Sequence, residues 1–152
     1  MEISNHLQQT LKNPVYFLDL LLPHIEKNFE NYTGNSNDFK TIFITSPADV
    51  AKEFKNIGSR IYKGYKIFTT NDSEEFMRKY SENCELLKVL FGDVVSTFEK
   101  EVIVQSLSFY RTRPSNWSFN VQGHRFARYT SEELKYDRVI YDVFSGRQKR
   151  SF

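Results

Sequence analysis

Arg111, Arg113, Arg125 and Arg128 stand between Ser106 and Ser131 with no acidic residue among them, interleaved with Tyr110, Trp117, Phe126 and Tyr129. Guanidinium groups neutralise phosphates and exposed rings stack unpaired bases, so a sheet carrying both can hold a single nucleic-acid strand. Arg111 and Arg113 share strand parity, which sends both side chains to one face. The tail Arg147-Gln148-Lys149-Arg150 extends the basic run. His124 lies inside the cluster and suggests RNA cleavage without metal, the imidazole taking a proton from a 2′-hydroxyl while arginines stabilise the developing phosphorane charge. That chemistry normally needs a second titrating group, and the neighbourhood offers only Tyr110 or Glu133. The opposing reading is that these arginines cap sheet edges or pair with Glu132, Glu133, Asp137 and Asp142, the rings being core.

Other chemistries have less to stand on. The three histidines and single cysteine show no metal-ligand spacing, so no metal is expected. There is no glycine-rich dinucleotide fingerprint, no P-loop and no serine in a nucleophile elbow, and no cofactor is expected. Glu99-Lys100 and Glu133-Leu134-Lys135 put carboxylates beside lysines, without a patterned partner elsewhere. Ser46-Pro47-Ala48-Asp49 opens a helix after a short apolar run, a place where free amides can hold an anion. Proline removes one of those amides and no glycine-rich turn precedes it, so an ordinary strand-to-helix junction is the simpler reading.

The elements that position these residues follow from local signals. Ile3 to Leu11 reads as a first short helix, with Leu7 and Leu11 one turn apart. Asn13-Pro14 supplies a cap and a proline at the first helical position, and Leu18, Leu21, Leu22, Ile25 and Phe29 then form one apolar stripe. Pro23 lies within that stripe and is expected to kink or interrupt it. Thr41 to Thr45 reads as a strand and Val50, Phe54 and Ile57 as a helix stopped by Gly58. Ile61 to Thr70 is strand material around a Lys63-Gly64 turn, and a parallel contact between the two early strands is allowed by the helix between them. Asn71-Asp72-Ser73-Glu74-Glu75 starts another helix, whose apolar face runs through Phe76, Tyr80, Cys84 and Leu87 to a stop at Gly92.

Beyond that point the pattern switches to strands. Ile103, Leu107 and Phe109 share one parity; Trp117, Phe119 and Val121 alternate with Ser118, Asn120 and Gln122. Arg113-Pro114-Ser115-Asn116 is a turn signal, Gly123 is a second break, and His124 to Tyr129 reads as a further short strand. Thr130-Ser131-Glu132-Glu133 starts a helix of a turn or two. Val139 to Phe144 reads as a central strand. The expected architecture is one α+β domain over residues 1–152, its N-terminal helices and strand-helix units packed on a mixed, mostly antiparallel sheet formed largely by the C-terminal third.

Composition sets the remaining bounds. The chain has 14 Phe and 9 Tyr, and alanine only at Ala48, Ala51 and Ala127, so large rings must fill the core. A formal net charge of +2 argues against a whole-molecule field for nucleic acid or anionic membrane. Cys84 alone cannot form an internal disulfide, which favours a reducing compartment, and MEISNHLQQ lacks the basic start and apolar run of a signal peptide. No stretch reads as membrane-spanning. Asn, Lys, Ile, Phe and Tyr are abundant together, the usage of an AT-rich genome such as that of a phage. The expectation is a cytoplasmic or virion protein without catalytic role, acting through protein partners or as a homo-oligomer. Nucleic-acid binding or ribonuclease activity is the alternative.

Overall fold

The computed structural model describes residues 13–46, 52–54, 60–111 and 115–144. Helix α1 (Pro14–Asn28) begins as the sequence dictates, Asn13 Oδ1 accepting from the Tyr16 amide at 3.2 Å with proline in the first turn. Its stripe of Phe17, Leu18, Leu21, Leu22 and Ile25 is buried. Pro23 does not interrupt the helix. Asp19 and Pro23 are both exposed, so the carbonyl that loses its amide partner faces water, and burial of the stripe outweighs the cost of the proline.

A three-stranded mixed sheet follows, built from β1 (Thr41–Ile44), β2 (Arg60–Tyr62) and β3 (Tyr65–Thr69) in the order β1-β3-β2. The β1 and β3 strands are parallel, Phe43 lying beside Phe68, and β2 returns antiparallel to β3. Lys63 and Gly64 form the hairpin turn with φ of 49° and 85°, the left-handed geometry that matches the twist of paired strands. Along β3 the residues alternate, Tyr65, Ile67 and Thr69 buried, Lys66 and Phe68 exposed. The buried side meets α1, making one core with Phe29, Phe54 and Ile140. The opposite side is only partly covered, by a second core of Ile103, Val104, Phe109 and Val121 against which Phe43 and Trp117 pack.

Helix α2 (Thr70–Ser81) leaves the end of β3 through a reciprocal cap, the Thr69 amide donating to Asp72 Oδ2 at 2.7 Å. The continuous apolar face expected from Phe76 to Leu87 is not what the chain builds. The α2 helix ends at Ser81, Cys84 caps a separate short α3 (Glu85–Val89), and Gly92 lies in the first turn of α4 (Phe91–Gln105) instead of stopping a helix. The buried side of α2 consists of Thr70, Ser73 and Ser81. Small hydroxyl side chains there let α2 lie close to α4, and Phe76 and Tyr80 turn outward.

The class is α+β, but the C-terminal third is mostly helical where an antiparallel sheet was expected. Ile103 and Val104 end α4, and the segment from Trp117 through His124 to Arg128 is helix α5 (Asn116–Arg128). The alternation of Trp117, Phe119 and Val121 satisfies a strand period, yet Trp117, Val121 and Arg125 also recur every four residues. The local cap decides: Ser115 Oγ accepts from the Ser118 amide at 3.1 Å and Ser118 Oγ from the Ser115 amide at 3.0 Å. Gly123 is carried inside this helix. Among the described residues of this third, strand content is limited to β4 (Tyr110–Arg111) and β5 (Arg138–Val139), paired in parallel. The supposed central strand is β5 followed by α6 (Ile140–Phe144), in which Ile140 and Val143 are buried at helical spacing. A 3-10 turn, Glu133–Tyr136, realises the short helix start at Thr130, whose amide donates to Glu133 Oε2 at 2.7 Å. The expected helix over 3–11, the junction at 47–49, and Val50, Ile57 and Gly58 lie outside the described residues.

A Cβ at Gly64 would meet no atom within 4 Å, so any effect of placing one there is backbone strain alone. Gly64→Ala is expected to lower stability by about 1–2 kcal/mol in urea unfolding. An unchanged midpoint would show that the turn relaxes to another geometry.

Candidate functional site

The helix at 116–128 disperses the arginine cluster. Residues on a helix are 100° apart, so Arg125 points inward and Arg128 outward. Arg125 is 1% exposed and forms a bidentate pair with Asp137, Nε to Oδ2 at 2.9 Å and Nη2 to Oδ1 at 2.8 Å. Its Nη1 donates to the carbonyls of Ile103, Val104 and Ser106 at 3.0, 3.0 and 2.7 Å, closing the end of α4. Burial pushes the Asp137 carboxyl above its ordinary value, against the pull of Arg125, of the Phe109 amide and of Arg138. The pairing of Arg125 with Asp137 is one of those that the opposing sequence reading named. Arg128 pairs at the surface with Glu101 at 2.8 Å, and Glu101 is held below its usual value, first by Arg128 and with a smaller contribution from His124.

The other candidates are scattered. Arg111 lies on β4 with its guanidinium 5.5 Å from the Phe119 ring centre. Arg113 is outside the described residues, as is the basic run 147–150. The Tyr110 hydroxyl accepts from Asn28 Nδ2 at 2.5 Å, and burial pushes it up to about 12; it holds α1 to β4. Trp117 is half-buried against the second core and its Nε1 donates to Ser96 Oγ at 3.2 Å. His124 is exposed on α5, and Tyr110 and Glu133, the proposed second groups, sit on β4 and at the head of the 3-10 turn. Among the described residues no group of three His, Cys, Asp or Glu is arranged to hold a metal.

A different cluster forms at the carboxyl ends of the parallel strands β1 and β3. Ser46 follows β1, Thr70 and Ser73 open α2, and Glu99 reaches across from α4. The Ser46 amide donates to Thr70 Oγ1 at 3.0 Å, and that hydroxyl donates to Glu99 Oε2 at 2.9 Å. Glu99 is buried and forms no ion pair among the described residues. Burial raises its carboxyl to about 7; Thr70 opposes the rise, the negative charge of Glu74 adds to it, and the Ser73 hydroxyl opposes it weakly. Ser73 acts without a well-formed bond: its buried Oγ has no hydrogen-bond partner, and neither does Ser46 Oγ. Beside this cluster runs an open groove of about 450 Å3, lined by Phe43, Phe68, Phe76 and Phe98 with Asp72, Ser73, Glu75 and Lys79. Phe76 and Phe98 stack there at 5.5 Å.

Glu99 was visible in the sequence only as a carboxylate beside a lysine. The stronger signal is its place in the row Val95, Glu99, Ile103, where an acid interrupts an apolar helical stripe. Reading 103–109 as a strand hid that row. Comparison with protein-family models, with curated proteins and with solved structures finds no match to this chain.

Two outcomes follow. Arg125→Met is expected to cost about 3–5 kcal/mol in chemical unfolding, because it leaves the Asp137 carboxylate buried without a cation. The loss should shrink as pH falls and Asp137 takes a proton; a cost under 1 kcal/mol would mean that water replaces the guanidinium. For Glu99 the folded carboxyl titrates near 7 against an ordinary 4.5. The native state therefore holds this proton longer than the unfolded chain, and stability falls as pH rises between those values. Glu99→Gln is expected to stabilise by about 2 kcal/mol at pH 8 and little at pH 4, the adjoining groove moderating the full effect. Equal stability of the two proteins at pH 8 would show a solvated carboxyl.

Proposed function

We infer that this chain is a non-catalytic interaction protein that docks a protein partner, another chain or a second copy of itself, on the face made by α2 and α3. One observation carries the reading: Leu86, Val89 and Leu90, spaced i, i+3 and i+4, are 66%, 81% and 41% exposed, so the apolar side of this short helix is turned to solvent. Helical triplets of this spacing are what a groove on a partner recognises. Tyr80, 62% exposed on α2, adds an amphipathic ring suited to an interface. Glu85 and Lys88 flank the triplet with both signs of charge, which suits a polar rim. No helix among the described residues is long and apolar enough to cross a membrane. The place of action in this reading is the cytoplasm or, for a phage product, the virion.

The alternative, a nucleic-acid-binding protein or small metal-independent ribonuclease, retains the exposed rings Phe119 and Phe126 on α5 with Arg111 over Phe119. It loses Arg125, whose three guanidinium nitrogens all donate within the fold, and the acid near His124, Glu101, is already paired with Arg128.

The test is affinity capture of the native protein from its source, with and without nuclease, alongside light-scattering mass measurement of the purified chain. Leu86→Asp with Val89→Asp should abolish a nuclease-resistant partner or self-association while changing unfolding by no more than about 0.5 kcal/mol, since both side chains already lie in water. Partners that survive the double substitution, or that leave only with nuclease, would overturn the reading.

A further inference from the structure

We propose that the partner at the α2–α3 face is a second copy of this chain, and that the apolar side of its α3 seats in the phenylalanine-lined groove between the sheet and α2. The inference rests on the docking reading and names the other half of that contact. Phe43 and Phe68 lie side by side on the paired strands β1 and β3, and Phe76 of α2 stacks on Phe98 of α4 at 5.5 Å. Phe68 and Phe76 are 38% and 44% exposed, so their rings are open to an incoming side chain. The groove measures about 450 Å3, a size that takes up bulky apolar groups. Phe76 also meets Tyr80 at 5.1 Å, which makes the groove continuous with the docking face. Each copy therefore exposes an apolar helical triplet, Leu86, Val89 and Leu90, and an apolar seat for one. Two such unlike patches on one molecule join copies head to tail.

Charge order argues for the same chain as occupant and sets its direction. Glu75 and Lys79, both exposed, line the groove on the α2 side, the acid one turn before the base. Along α3 the order is the same, Glu85 and then Lys88. In both helices the charged pair borders the apolar residues: Lys79 comes three residues after Phe76 and Glu85 four before Val89, spacings that are neighbours on a helix surface. A second copy's α3 laid antiparallel to α2 brings Lys88 to Glu75 and Glu85 to Lys79. A parallel approach sets like charges together and is refused. Within one chain Glu85 and Lys88 form an ion pair at side chains 88% and 49% exposed, so exchanging it for pairs across copies costs little.

The test is complementation between two variants of the full chain, read by sedimentation velocity from micromolar to submillimolar concentration. Leu86→Asp with Val89→Asp removes the triplet and keeps the groove; Phe76→Lys blocks the groove and keeps the triplet. The unaltered chain should grow in mass with concentration, and each variant alone should stay monomeric. Their equimolar mixture should form a one-to-one pair, because one intact groove then meets one intact triplet. A monomeric mixture of two variants that are folded by circular dichroism would mean that triplets pack on each other, and the groove would be struck out. Direction is tested at exposed positions that leave the fold alone. Glu75→Lys or Lys88→Glu singly should weaken self-association about threefold or more, and the two combined in one chain should recover it; a combined variant as weak as the singles would overturn the proposal. A chain that stays monomeric throughout, yet in native capture holds a nuclease-resistant protein released by the Leu86 and Val89 substitutions, would sink the second copy and leave the docking reading standing.

Discussion

The buried guanidinium of Arg125 is the contact on which the C-terminal half of the molecule depends. It satisfies three carbonyls at the end of α4 and both oxygens of Asp137. A positive charge at that end also complements the helix dipole. Asp137 in turn accepts the Phe109 amide at 2.9 Å, and the Arg138 amide donates back to the Phe109 carbonyl at 3.0 Å. One side chain thus fixes the exit of α4, the orientation of α5 and the meeting of β4 with β5. A strand pair of two residues each could not hold that register alone, since it contributes too few hydrogen bonds to offset the ordering of its chain.

Fixing the end of α4 has an effect one turn away. Glu99 lies four residues before Ile103, on the same helical face, so the clamp at the carboxyl end sets the depth at which Glu99 enters the interface with α2. The two acids then differ by a single condition. Asp137 is as buried as Glu99 but shares its site with a cation, and the fold uses it as a joint. Glu99 meets only hydroxyls and the repulsion of Glu74, so burial dominates and its proton is retained to near neutral pH. A structural role would be served as well by glutamine or leucine at that position, which would leave no charge to desolvate. An acid there costs stability once it ionises.

Local chemistry made about half of this legible from sequence. Asn13-Pro14, Lys63-Gly64, the helix start at Asn71 to Glu75 and the Thr130 to Glu133 start each act within a few residues, so the cap or turn they encode needs no tertiary partner. The parallel contact of β1 and β3 was also readable, from the helical pattern between two strands. The C-terminal third was not, because Trp117 to Gln122 fits both periods and Val139 to Phe144 fits either. Its strongest discriminating sign is the pair Ser115 and Ser118, which closes a helical turn, whereas by sequence pattern Ser115 reads as part of a turn and Ser118 as a polar residue of a strand. Cys84 shows the converse limit: the row Phe76, Tyr80, Cys84 has helical spacing, but the chain breaks at Ser81 and the row never faces a core.

The same ambiguity decides what a cluster of arginines means. Set on strands, Arg111 and Arg113 would share one face, with rings beside them fit to stack on bases. Wound into a helix, residues three apart diverge by about 60°, enough to send Arg125 into the core and leave Arg128 to pair with Glu101 in water. Net charge near zero gives no long-range attraction to restore what the geometry removes. The apolar triplet on α3 follows the opposite logic: its spacing is ordinary for a core helix, and only the short length of α3, held between α2 and α4, turns it outward. Composition alone assigns such leucines and valines to the interior. Their exposure is a property of topology, and it is the reason the proposed interaction surface is assigned to α3 and not to the arginine-bearing helix.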